Sequence, residues 1–214
     1  MVLPNRNKIV VRNYSKLTEK YQHMCPVELQ LFTGRVALRP LSINDVGLVI
    51  DMFTDEQVMK YAGGAIPKEK IIEEMGMYTR RGGNGCIGVW RICDRITGES
   101  LGSTALTPLP VDKDDTDWEQ VIEDQLPDGE VEIGYFLKRT AWGNGYATET
   151  VERILRFAFE DSPLEKVVAV IDPENRGSRR VLEKSGFVST GIRRAYGKDH
   201  PGFQIIREDW LGRQ

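Results

Sequence analysis

Cysteine and histidine are scarce in this chain, and their scarcity removes several chemistries at once. Three cysteines (Cys25, Cys86, Cys93) and two histidines (His23, His200) occur in 214 residues, with no C-x-x-C pair among them. An odd number of thiols without paired spacing argues against a disulfide framework, and the missing Cys/His clusters argue against zinc, so no metal is expected. The thiols read as small packed hydrophobes of a protein in a reducing compartment, which makes the cytoplasm the expected location. Long apolar runs are missing too. Charges interrupt even VGLVIDMF and KVVAVI, far short of the roughly 18 continuous apolar residues that a membrane span needs. Nor is there an excess of positive charge: 29 Lys plus Arg stand against 32 Asp plus Glu, a net charge of -3. That balance gives no global attraction to nucleic acid.

What remains suits one globular domain with a sizeable core, since 40% of the residues are hydrophobic and 29% charged. Charge is nevertheless unevenly spread. Among the first 24 residues Arg6, Lys8, Arg12, Lys16 and Lys20 face only Glu19, a net +4. This head has no continuous apolar stretch of the secretory kind, and residues 1–33 are read as a basic extension preceding a domain at 34–214. Between Val111 and Glu130 nine acids face only Lys113, a net -8, which reads as an acidic insertion.

The periodicities are regular from Gly34 onward. RVALRPL alternates as a strand, and Ser42 with Asp45 makes a capping-box start for a helix carrying Val46, Val49 and Ile50. Thr54 is expected to cap a second short helix, and Pro67 to open one that Gly82-Gly83 ends. CIGVWRIC and SLGSTALTPL read as antiparallel strands joined through Thr97-Gly98. EVEIGYFL is a further strand, residues 146–160 an amphipathic helix, KVVAVI a buried strand and residues 176–184 another helix, before the strands VSTGIRR and FQIIR. Early helices, a strand meander and a βαβ-like crossover point to an α/β (α+β) fold with a mixed sheet.

Chemistry concentrates at Trp142-Gly143-Asn144-Gly145-Tyr146-Ala147, between a strand and an amphipathic helix. Glycines there let an anion approach the backbone, and the unpaired N–H groups of the first helical turn point outward with the positive end of the helix dipole. The complete G-x-G-x-x-G pattern and the phosphate-binding lysine of a Walker loop are both lacking, which separates this turn from dinucleotide and P-loop sites. About thirty residues on, Asn175-Arg176-Gly177-Ser178 opens a helix that closes with VLEKSGF. Asn175 suits the N-cap by residue type alone.

Taken together, RVALRPL, EIGYFL, WGNGYATE and N-x-x-S followed by VLEKSGF make the chain resemble the GNAT superfamily of N-acetyltransferases. Within it, the closest resemblance is to the branch of ribosomal-protein N-terminal acetyltransferases. It covers about residues 34 to 210, and Trp142 stands where the family often has glutamine or arginine. The resemblance implies a mixed, splayed β-sheet flanked by helices, with acetyl-CoA as acetyl donor between the strands ending near Leu137 and Ile171. It places Phe136, Leu137 and Lys138 along the pantetheine and residues Trp142, Gly143, Asn144, Gly145, Tyr146 and Ala147 at the pyrophosphate. Asn175 and Ser178 would face the pantetheine and thioester. Arg180, with Arg176 and Arg179, gives the second helix a cationic side that suits the 3'-phosphate or plain solvent.

Acetyl transfer to an amine needs a base, donors for the developing oxyanion and an acid for the departing thiolate. Glu132 and Glu130 share one side-chain parity and are both candidates for the base, and a backbone N–H near Phe136 or Leu137 suits the oxyanion. No tyrosine lies between Arg176 and Phe187, so Ser178 is the candidate partner of the thiolate and Tyr196 the second one. The expected acceptor is a primary amine, either a peptide N-terminus or a small cationic molecule that the acidic insertion attracts. A homodimer is an expectation drawn from analogy alone. Two other classes stay open: a catalytically silent CoA-binding regulatory module, and a nucleotide-binding protein that uses the GNG turn for ATP or NAD.

Overall fold

In the computed structural model, residues 29–213 are described, and the basic run before them lies outside that range. Among the described residues nine strands make one sheet in the order β1-β2-β4-β5-β6-β7-β9-β8, with β3 on β4. The strands are β1 (Leu31–Phe32), β2 (Val36–Pro40), β3 (Arg81–Gly82), β4 (Ile87–Asp94), β5 (Ser100–Pro108), β6 (Val131–Leu137), β7 (Lys166–Val170), β8 (Val188–Ala195) and β9 (Lys198–Ile206). The helices are α1 (Val46–Phe53), α2 (Lys68–Tyr78), α3 (Tyr146–Glu160), α4 (Arg176–Lys184) and a short α5 (Arg207–Leu211). Among the described residues no helix is long and apolar enough to cross a membrane.

Alternation along the strands divides the core between the two faces of the sheet. Ile133 and Leu137 of β6 join Trp90, Ile92 and Leu106 beneath α3, whose Val151, Ile154, Leu155 and Ala158 are buried at helical spacing. Trp90 meets Phe157 of α3 edge-on, with ring centroids 5.5 Å apart. On the opposite face lie Leu41, Val49, Ile71, Met75 and Tyr78, a cluster formed by α1 and α2. Phe136 reaches this side, where it meets Phe53 of α1 edge-on at 5.3 Å. Glu132 and Gly134 share the parity of Phe136 and therefore the α1/α2 face.

A buried carboxylate fixes α1 on the sheet. Asp45 is 4% exposed. It takes two hydrogen bonds from Arg39, at 2.7 and 2.6 Å, one from Arg91 at 3.1 Å, and two from the Ser42 N–H and hydroxyl, both at 2.9 Å. Burial alone would raise its pKa. The donors of Arg39 and Ser42 and the charge of Arg39 outweigh burial and hold it at about 2. The S-x-x-D pattern thus does more than start a helix, because it joins β2, β4 and the entry to α1.

Antiparallel pairing runs from β2 through β4 and β5 to β6, and then the sheet opens. β6 and β7 are parallel with a single aligned pair, Glu132 with Val168, after which the strands diverge. β9 pairs antiparallel with β7 and carries β8 at the edge. The splayed mixed sheet expected from the sequence is therefore present.

Three local expectations differ from the structure. Thr54 closes α1 rather than opening a helix: its N–H and hydroxyl donate to the Ile50 carbonyl at 3.0 and 2.8 Å, and residues 55–64 run as turns. α2 ends at Tyr78, and Gly82 belongs to a strand instead of a helix stop. Leu29 and Leu31, within the stretch read as an extension, are buried in the core, and β1 pairs with β2.

Candidate active site

The turn before α3 is built for close approach to its backbone. A 3-10 turn over Arg139–Ala141 leads into Trp142, and Gly143 and Gly145 adopt left-handed φ values of 74° and 80°. Only glycine takes those angles readily. Nothing lies within 4 Å of where a Cβ on Gly143 would stand. Gly145 is the N-cap of α3 and has no side chain to satisfy the first N–H groups of the helix, which lack intrahelical partners. The Trp142 indole N–H donates to the Leu137 carbonyl at 2.8 Å, and the Asn144 amide to the Trp142 carbonyl at 3.0 Å. Tyr146 and Ala147, in the first turn, are half-buried.

Arg35, which sequence reasoning missed, braces this loop from the β1–β2 turn. It donates to the Asn144 carbonyl at 2.9 Å, pairs with Glu149 of α3 at 2.6 Å and lies over the Tyr146 ring at 4.9 Å. Burial works to raise the Glu149 pKa, but hydrogen bonds from Thr33 and Arg35 prevail and hold it low. More than a hundred residues separate Arg35 from the loop, and no local pattern in the sequence joins them. Lys138 pairs with Asp51 at 3.1 Å and Arg139 with Asp55 at 2.8 Å, so the same loop is also tied to the end of α1.

The two candidate carboxylates, Glu130 just before β6 and Glu132 within it, differ sharply. Glu130 is engaged by Lys166 and by Arg193, each on a different oxygen. Glu132 is buried and faces Thr107 of β5 on one side and Val168 of β7 on the other. Its Oε1 accepts a hydrogen bond from the Tyr196 hydroxyl, while Oε2 is buried and has no hydrogen-bond partner among the described residues. Burial pushes the carboxyl pKa up to about 7, against the pull of the Tyr196 bond. The next residue on that face is Gly134, and nothing lies within 4 Å of where its Cβ would be. An open step thus separates Glu132 from Phe136.

Ser178 and Tyr196, proposed for the same task, occupy different places. Asn175 caps α4, its Oδ1 accepting from the Ser178 N–H at 3.0 Å. The Ser178 hydroxyl lies 2.7 Å from that of Tyr135, a β6 residue on the α3 side of the sheet. Burial raises the Tyr135 hydroxyl to about 12, and the Ser178 bond opposes that rise. Tyr135 was overlooked because a tyrosine was sought on α4, although EIGYFL displays one. Arg180 is exposed on α4, and Arg179 stacks on Phe203 at 5.3 Å.

The acidic insertion is fastened at both ends. Tyr196 and Gly197 N–H groups bond the Pro110 and Val111 carbonyls at 3.0 and 2.9 Å. Gly83 N–H meets the Ile122 and Gln125 carbonyls at 2.9 Å, and Val121 is buried in the core. Between them Trp118 packs on Tyr78, with ring centroids at 5.8 Å. Several acids are already paired, Asp112 with Arg194 at 2.8 Å and Asp117 with Lys113 at 2.7 Å.

Comparison with known proteins agrees with this geometry. The sequence matches the family described as Acetyltransferase (GNAT) domain over residues 35–188. The chain belongs to the GNAT acetyltransferase family. It is 34% identical to the Bacillus subtilis protein YkkB over 158 residues, covering 73% of this chain and 84% of that one. It is 25% identical over 196 residues to the Bacillus licheniformis protein named "Uncharacterized N-acetyltransferase p20", covering 85% and 98%. Among solved structures, spermidine N-acetyltransferase from Vibrio cholerae, in complex with CoA and spermine, superposes with a TM-score of 0.64 at 17% identity, covering 84% of this chain and 99% of that one.

Proposed function

We propose that this protein transfers the acetyl group of acetyl-CoA to a primary amine by direct attack in a ternary complex, with Glu132 as the general base. The observation that carries the reading is the Glu132 carboxylate: buried, with one oxygen unpartnered among the described residues, beside the open step at Gly134 where β6 and β7 part. A carboxyl with a pKa near 7 is suited to accepting a proton at neutral pH. Glu130 is less suited, since two cations already hold it.

The chain's own groups fit acetyl-CoA. The bare backbone at Gly143 and the uncapped first turn of α3 suit a pyrophosphate. Bound there, acetyl-CoA supplies an activated acyl group at the fork of the sheet. Lys138 N–H donates to the Leu101 carbonyl across β5, so by alternation the N–H groups of Leu137 and Tyr135 project to the other side, toward the fork. They are the donors available to the oxygen of a reacting carbonyl. Ser178, backed by the Tyr135 hydroxyl, is placed to donate a hydrogen bond to a thiolate. The acceptor belongs to the class of peptide N-termini and small cationic amines.

The test is calorimetric titration with acetyl-CoA, using ATP and NAD as controls, followed by thiol release with mixed amine pools. Micromolar acetyl-CoA binding with amine-dependent release is the expected result. Binding without release from any amine would make the protein a CoA-binding module, and no binding at all would remove the assignment of the GNG turn. Gly134→Ala probes the step itself. The methyl meets nothing within 4 Å, so thermal stability should hold or rise slightly as the unfolded chain loses freedom. Encroachment on the reacting groups should lower kcat/KM by about tenfold or more.

A further inference from the structure

Tyr196 has an unusual backbone for its size. It occupies the two-residue turn between β8 and β9 at φ 52°, followed by Gly197 at φ 67°. That pair of left-handed residues is the pattern of a tight hairpin turn, for which asparagine and glycine are the common choices. A bulky aromatic there is strained, and such strain persists where the surroundings enforce it. The enforcing contacts are visible. Tyr196 N–H is held by the Pro110 carbonyl at 3.0 Å, and the ring packs beside Leu109, Val168 and Ala195. The hydroxyl, carried into the protein by this turn, ends on Glu132 Oε1.

The surroundings of Glu132 leave few other partners. Thr107 faces it from β5 and Val168 from β7, neither of them titratable. From the insertion, Thr116 and Asp115 act on the Tyr196 hydroxyl, Thr116 easing its ionisation and the charge of Asp115 opposing it. Tyr78 of α2 gives its hydroxyl to Glu74 at 2.7 Å. Glu130, two residues before Glu132, is occupied by Lys166 and Arg193. Tyr196 is therefore the donor that distinguishes one oxygen of Glu132 from the other.

We propose that Tyr196 is a positioning residue: its hydroxyl fixes Glu132 Oε1, so that Oε2 alone is presented to the acceptor amine, and it favours the ionised carboxylate that accepts the proton. This assigns Tyr196 to the base side of the reaction rather than to the departing thiolate. It rests on the reading of Glu132 as base. In the step, Oε2 takes a proton from the attacking nitrogen while the O–H of Tyr196 stays with Oε1, and no further reactant is needed.

The test is Tyr196→Phe, which keeps the ring and the turn and removes only the donor. Without it the carboxylate loses one charge-assisted hydrogen bond, and the acidic limb of the kcat/KM profile should move up by about one pH unit. Activity at pH 6.5 should fall about tenfold and recover in large part by pH 9, with the KM for acetyl-CoA unchanged. The pH at which thermal stability stops falling should move upward by the same amount, a readout that needs no turnover. An unmoved acidic limb in Tyr196→Phe, with Glu132→Gln abolishing that limb, would reduce Tyr196 to packing and leave the base reading intact. A limb that survives in Glu132→Gln would overturn the base reading and this inference with it.

Discussion

Glu132→Gln is expected to lower kcat/KM by roughly 10²- to 10⁴-fold, the range that general bases contribute, while leaving acetyl-CoA binding within about twofold. The same substitution has a signature in stability that separates it from a generic lesion. Burial holds the Glu132 carboxyl at about 7, well above the ordinary carboxylate range of the unfolded chain. Between those values the folded protein holds a proton that the unfolded chain has released, so stability falls as pH rises through this window and levels off above it. That displacement corresponds to a stability change on the order of 3 kcal/mol. The glutamine variant does not titrate and should lack this decline. Denaturant midpoints measured from pH 5 to pH 8 should therefore fall for the natural protein and stay flatter in the variant. Parallel curves would mean that Glu132 is ionised in a solvated environment, contrary to the burial described.

Asp45→Ala should be strongly destabilising although it is remote from the fork. It leaves Arg91, the Ser42 N–H and part of Arg39 facing a site that no longer holds a carboxylate. Removing one member of a buried charge cluster costs about 3 to 5 kcal/mol. The Arg39 side chain is 36% exposed and recovers some hydration, which places the expected loss near 3 kcal/mol, or a fall in Tm of roughly 10 °C for a chain of this length. Calorimetry at pH 7 measures it directly. The sign with pH is opposite to that of Glu132. Asp45 is depressed to about 2, so its contribution is complete above the ordinary carboxylate pKa and disappears as pH falls toward 2. A loss under about 1 kcal/mol would show that the cluster is a surface ion pair in energetic terms.

What the sequence disclosed follows the range of the interactions involved. α3 and α4 were readable because apolar spacing, the glycine turn and the Asn175 cap all act within a turn or two. The antiparallel hairpin of β4 and β5 was readable from Thr97-Gly98, with Gly98 at φ 73°. The tie between Ser42 and Asp45 was visible as a cap, whereas its extension to Arg91 depends on register across β2 and β4. The two-residue strands β1 and β3 and the five-residue α5 were missed, being too short to carry a period. At the fork, Glu132 was identifiable by type and parity. The difference in surroundings between it and Glu130 was not, since Arg193 and Tyr196 arrive from the far end of the chain. Tyr135 and Ser178 form the same kind of contact, 43 positions apart and across a gap between elements.

The lone aligned pair between β6 and β7 bears on more than cofactor fit. A sheet normally transmits cooperativity through its ladder of hydrogen bonds, and at this seam the ladder is nearly cut. The strands from β1 to β6 and those from β7 to β9 then depend for their union on α3 and the core beneath it and on side-chain and loop ties such as those of Glu130 to Lys166 and Arg193. A ligand lodged in the seam with bonds to both margins would act as mortar between two partly independent foldons. Backbone amides of β7 to β9 should exchange with deuterium faster than those of β4 and β5 in the free protein. On saturation with acetyl-CoA the two rates should converge, so that the protein becomes one cooperative unit only while it holds its substrate.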